Sequence, residues 1–390
     1  MEFAQKLIVV GLVLVACSTT QTTTASLDVA WRARLQGAVD GTPATANGTV
    51  FAGSAGGELA AFDERTGTTV WSRRGLGAIS DSPAVDNSRV YAGTLSGHVL
   101  AFDARDGATL WDWTGPPNAA MWSSPVIYRD IVLIGVASPY GDTPLVPGRV
   151  VALDAATGAE RWTMCLLAGC APGDGVWSTV TIDAAGTAFV GIGNPGDGLL
   201  AFDPVSGRRN WLRSLYVDSG RDFDVGARPV VVNSGARELV VVASVEGTLF
   251  GLDATTGDIV WSRKLVEGSA VHGLIASPAY DGTNLYVASA SPPFGVFAVR
   301  PADGAVVWRH GTDRPIYSAP AVSGGKLVFG TGAAFGDLRA GAVLELATGD
   351  GHEIARLDVY SAVRGGPAVS GDLAIAGDYA GEILAVRLRT

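Results

Sequence analysis

The residues able to do chemistry in this chain are few and scattered. Ser178, His272 and an aspartate have the types of a nucleophilic triad. No nucleophile elbow surrounds Ser178, so that serine reads as structural. Cys165 and Cys170, in "CLLAGC", have no histidine near them, which favours a small disulfide loop over a metal pair. The stretch "GAAFGDLRAG" (332–341) is rich in glycine but does not join a strand to a helix, so it is not read as a phosphate cradle. His98, His310 and His352 lie far apart and read as surface or turn residues. What remains is a set of large side chains, Trp122, Trp177, Tyr317 and Arg364, with Asp222, Asp224 and His272 as polar company. Aromatics and arginine dominate binding energy where water is excluded, so the chemistry on offer is recognition. Whether these residues meet depends on the elements that carry them.

The bulk properties narrow the setting. A net charge of -10 over 390 residues, with no basic run, argues against a nucleic-acid partner. The leader "MEFAQKLIVVGLVLVAC" has an apolar run from Leu7 to Ala16, too short to span a bilayer but suited to a secretory signal. Its end, Leu14 to Cys17, resembles a bacterial lipobox. The resemblance implies a lipoprotein signal peptide over 1–16, cleavage before Cys17 and a lipid on that residue. The chain would then sit outside the cytoplasm, periplasmic or at the cell surface, held to a membrane by the anchor. "STTQTTTAS" continues as a polar tether, giving 17–26 as linker and 27–390 as the folded domain.

That domain is a repeat. "AAFDERTGTTVW" ends at Trp71, and related segments end at Trp111, Trp162, Trp211, Trp261 and Trp308. Alternation in "GELAAFD" marks a half-buried strand. Asp63 can accept hydrogen bonds from the amides of the next turn, Gly67 supplies a positive φ, and "TTVW" returns as the neighbouring strand. Upstream, "SPAVDNSRVYAGT" and its counterparts add two more strands around a tight turn. Each unit therefore has four antiparallel strands and almost no helical signal. The third strand recurs eight times, whereas only seven fourth strands follow their hairpins. The missing one is "DVAWRARL" around Trp31, ahead of the first unit. The spacing predicts an all-β fold, an eight-bladed β-propeller closed by an N-terminal strand in the C-terminal blade, which removes two exposed edges.

In a propeller the first strand of each blade lines the channel. The position three before the proline of each "PAV" core, or its aligned residue, reads Asp40, Ser80, Trp122, Trp177, Gly226, Ile275, Tyr317 and Arg364. These are expected to ring one mouth, with Asp222, Asp224 and His272 just upstream. The channel-mouth set is therefore Trp122, Trp177, Asp224, His272, Tyr317 and Arg364.

The "AxDxxTGxxxW" pattern resembles the tryptophan-docking repeat of the pyrroloquinoline quinone (PQQ) propellers over essentially the whole mature chain. Within it, "VWS" followed by "GIGNP", then "DFDVGARP", is similar to the quinoprotein alcohol and polyvinyl alcohol dehydrogenases. That resemblance implies Trp177 and Asn194 at the cofactor, Asn194 with an aspartate on calcium, and Asp222 or Asp224 as catalytic base. Three departures stand against it. "GVASPYGD" has no glutamate for calcium, Val245 or Glu246 replaces a quinone-facing cation, and the vicinal cysteine pair is absent. Length, lipobox and eight compact blades resemble the BamB family of outer-membrane assembly lipoproteins, implying a binding scaffold for a protein partner or extracellular ligand. A PQQ- and calcium-dependent alcohol dehydrogenase is the alternative.

Overall fold

The computed structural model describes residues 25–86, 88–217, 222–235 and 237–389. Cys17 and the proposed signal peptide lie outside the described residues. The chain forms eight sheets arranged as blades, each with four antiparallel strands, and one of them carries a fifth, parallel strand at its outer edge. The only helical turn named among the described residues is Ala168–Cys170. Blade 1 shows the pattern, with strands Ala44–Ala46, Thr49–Gly53, Glu58–Asp63 and Thr69–Arg74 paired in sequence order.

The docking motif works as its residue types predict, and then does more. Asp63 Oδ1 accepts from the Thr66 amide at 2.8 Å and the Thr66 hydroxyl at 2.7 Å. Every third-to-fourth strand pair shifts register one step before the tryptophan or its counterpart. Such a bulge raises local twist and turns the side chain toward the next blade. There Trp71 Nε1 donates to Ala104 O at 3.0 Å. Its ring lies over Gly107, where an added Cβ would fall 2.6 Å from the indole. Gly107 also has φ of 69°, so two constraints select glycine at that turn. Trp31, Trp111, Trp211, Trp261 and Trp308 repeat the donation to the following blade.

The core follows from this packing. It is a ring of eight apolar layers, one between each pair of neighbouring blades. One layer joins Phe51, Leu59 and Trp71 of blade 1 to Val90, Leu100 and Phe102 of blade 2.

Closure occurs where the strand count requires it. Asp28–Arg34 pairs antiparallel with Glu382–Arg387, setting Trp31 opposite Ala385. Ala25–Ser26 then extends the sheet of blade 7, parallel to its outer strand Glu353–Val359. Pairing thus reaches two residues into the stretch read as tether. Arg389 fastens the two ends together, its amide donating to Glu345 and its guanidinium meeting Asp28 at 3.5 Å.

Candidate functional site at the channel mouth

Antiparallel order puts the blade-to-blade crossovers and the turns between second and third strands at one end of the ring. The docking turns occupy the other. First strands therefore start at the crossover end, the mouth, and run inward. All eight positions aligned from the sequence line one cavity there, of about 680 Å³: Asp40, Ser80, Trp122, Trp177, Gly226, Ile275, Tyr317 and Arg364.

Polar partners behind the wall hold the large side chains. Trp122 Nε1 donates to Ser138 O at 2.9 Å. Tyr317 donates to Val271 O at 2.9 Å and accepts from His272 Nδ1 at 2.6 Å, which sets the histidine tautomer. Burial pushes the Tyr317 hydroxyl up to about 12, so it stays protonated. Arg364 meets Asp40 at 3.4 Å and lies over the Tyr379 ring at 5.4 Å. Burial raises the Asp40 carboxyl, and Arg364 opposes that shift.

Trp177 has the most elaborate support. Its Nε1 donates to Asp224 Oδ2 at 2.6 Å. Asp224 Oδ1 accepts from the Asn194 amide at 3.0 Å and from Asn194 Nδ2 at 3.2 Å, and the same Nδ2 reaches Asp222 Oδ1 at 3.3 Å. Two glycines make room. A Cβ on Gly226 would fall 1.8 Å from the Trp177 ring, and one on Gly193 2.8 Å from the Asp224 carboxylate. Burial lifts the Asp224 carboxyl to about 6. The Trp177 hydrogen bond opposes that shift, while the neighbouring charges of Asp222 and Asp142 add to it.

Asp224 and His272 thus stand behind the wall as orienting groups and do not line the cavity. Asp222, Asp224, Asn194 and Trp177 do come together. Ser178 and His272 do not: Ser178 Oγ donates to Ala227 O at 3.0 Å and accepts from the Gly191 amide at 3.2 Å. Asp81, Ser123 and Ser318 tie first to second strands in the same way. Cys165 and Cys170 are joined by a disulfide with Cα atoms 5.2 Å apart, at the start of the crossover leading to Trp177.

Sequence reasoning missed a second ring. The residue directly before each proline, or its aligned position, faces the same cavity one step deeper: Thr42, Ser82, Ser124, Thr179, Arg228, Ser277, Ala319 and Gly366. The alignment that found the first ring contained this one, two columns along.

A calcium cage at Asn194 does not fit these donors. Both Asp224 oxygens already accept protein N–H groups. Among the described residues no group of three or more His, Cys, Asp or Glu is disposed to hold a metal. Calcium takes six to eight oxygens, and the amide of Asn194 with the Asp222 carboxylate falls well short.

The family model described as outer membrane protein assembly factor BamB matches residues 22–169 and 146–390. The chain belongs to the BamB family. This BamB-family chain is also similar in sequence to two polyvinylalcohol dehydrogenases. The one from Sphingopyxis sp. (strain 113P3) is 29% identical over 177 residues, 44% of this chain and 23% of that protein. The one from Pseudomonas sp is 27% identical over 231 residues, 45% of this chain and 36% of that protein. The matched part is thus well under half the length of either relative. Among solved structures, quinohemoprotein alcohol dehydrogenase from Comamonas testosteroni superposes with a TM-score of 0.79 at 16% identity, covering 94% of this chain and 77% of that one. BamB from Moraxella catarrhalis gives 0.70 at 21%, covering 94% and 98%. At such identities the superpositions show the fold alone.

Proposed function

We propose that this protein is an extracytoplasmic propeller, lipid-anchored through Cys17, that binds a protein partner at the channel mouth without quinone turnover. The observation that carries this reading is the mouth itself. Trp122, Trp177, Tyr317 and Arg364 stand at one opening, and three of the four are fixed by hydrogen bonds from behind. Pre-set aromatic and arginine side chains lose little freedom on binding, which is what makes such residues effective anchors. Membership of the BamB family supports the same reading, as does the commitment of Asp224 to Trp177 and Asn194.

The dehydrogenase is the second reading. The grouping of Trp177, Asn194, Asp222 and Asp224 favours it, as does the local similarity to polyvinylalcohol dehydrogenases. One experiment separates the two. A photo-crosslinking residue is placed at Trp122 in living cells and, as a control, at Arg105 on the opposite end. The scaffold reading expects a discrete adduct from the first site only, reduced by Trp177→Ala and Arg364→Ala in a protein of unchanged stability. Calcium-dependent PQQ binding with alcohol-driven dye reduction, lost in Asn194→Ala and Asp224→Ala, would replace it with the dehydrogenase.

A further inference from the structure

The waist of the channel carries a pattern that the mouth does not explain. Thr42 donates its amide to Ser82 Oγ at 2.9 Å, Ser82 to Ser124 Oγ at 3.0 Å, Ser124 to Thr179 Oγ1 at 3.0 Å, and Arg228 to Ser277 Oγ at 3.0 Å. Four blades thus hand a backbone N–H to a hydroxyl of the next. A hydroxyl has one proton to give. With the oxygens of Ser82, Ser124, Thr179 and Ser277 accepting, their protons remain. None of the four donates to a protein acceptor among the described residues, and all four side chains face the cavity.

Into this girdle of O–H donors projects Arg228. Its Nε donates to Thr181 Oγ1 at 2.9 Å, which leans the side chain against blade 4 and leaves both terminal nitrogens uncommitted. It makes no salt bridge among the described residues, in a protein whose net charge is -10. The side chain is exposed to the channel lumen, and the surrounding wall lowers its proton affinity.

The other ionisable groups lining the cavity do not neutralise it. Asp40 is committed to Arg364. Asp81 is buried and accepts from the Gly93 amide at 2.8 Å, and burial raises its carboxyl well above the usual range. A cation open to the channel lumen, without a counterion among the described residues and ringed by donors, is complementary to one kind of ligand.

We propose that the channel waist is a binding site for a small polyanion, a carboxylate or phosphate compound, held by Arg228 and by the hydroxyls of Ser82, Ser124, Thr179 and Ser277. Guanidinium and hydroxyl donors suit both oxyanion types, and the cavity shared with the mouth, about 680 Å³ in all, has room for a small ligand at its deeper end. The site lies two residues further along its strand than Gly226, the residue Trp177 covers. It therefore forms the deeper part of the same cavity, with donors distinct from the aromatic side chains at the rim.

Calorimetric titration of the full mature protein with citrate and, separately, inorganic phosphate at matched ionic strength tests this, with chloride as the control. Saturable binding of at least one is expected, weakened about tenfold or more in Arg228→Gln, since a charge-assisted contact is worth that much. Arg228→Lys should fall between the two, and it keeps the test open if the Gln variant does not fold. The protein carrying the photo-crosslinking residue at position 122 should bind the anion normally whether or not it forms a mouth adduct, so failure of the mouth reading is distinguishable. Citrate alone binding marks a carboxylate ligand, and phosphate alone a phosphorylated one. No saturation by either below about 10 mM, or wild-type affinity in Arg228→Gln, overturns the proposal.

Discussion

Asp224 is a channel-mouth side chain whose environment alters its behaviour, and the alteration is measurable. Burial beside Trp177 lifts its carboxyl to about 6 from an unfolded value near 3.8. The folded state therefore holds the proton more tightly than the unfolded chain does. The associated stability is fully present below about pH 4 and is lost as the pH rises through 6, a change of up to about 3 kcal/mol. Urea unfolding of wild type and Asp224→Asn at pH 4.5 and 7.5 isolates it from other buried acids. The wild type should lose stability relative to the variant between the two, and a flat difference would mean that the carboxylate is hydrated. At this scale the sequence was legible in one respect. A single offset picked out all eight wall residues, because strand alternation fixes which side chains face the channel. It did not reveal that Asp224 and His272 sit behind Trp177 and Tyr317, since loop residues have no period to read. The serine and threonine girdle also escaped, because hydroxyls before proline look like ordinary turn composition.

Each docking hairpin couples two blades, which makes tryptophan and glycine one device. Trp71→Ala should cost about 3–5 kcal/mol, as for other buried aromatics. Gly107→Ala should cost about 2–4 kcal/mol, combining a left-handed backbone with overpacking against the indole. The double variant should cost less than the sum by at least about 1 kcal/mol, because removing Trp71 clears the space that the new methyl needs. Strict additivity in a double-mutant cycle by urea denaturation would show that the ring does not press on that turn. Order and spacing showed that aspartate, glycine and tryptophan belong to one hairpin. They did not show that each glycine receives the tryptophan of the blade before it. That contact crosses a repeat boundary, and a periodic sequence reads the same in either direction around the ring.

Closure of the whole molecule depends on its first two described strands. Removing residues 25–34 strips Trp31 from the layer it shares with Val50 and Phe62. It also bares the Glu382–Arg387 edge, and edges invite association. The truncated protein should melt many degrees lower and elute as larger species on gel filtration, whereas a monomer with wild-type melting would refute closure. Counting strands was enough to foresee the antiparallel seam. The parallel pair at Ala25–Ser26 was not foreseeable, because two residues carry no alternation. That pair nevertheless sets a direction. Glu353–Val359 runs toward the mouth, and so therefore do the strands of Ala25–Ser26 and Asp28–Arg34. The chain thus enters the propeller from the far end. On the proposed reading, an anchor fastened upstream would act as a mooring on the underside, and the aromatic opening would face away from it.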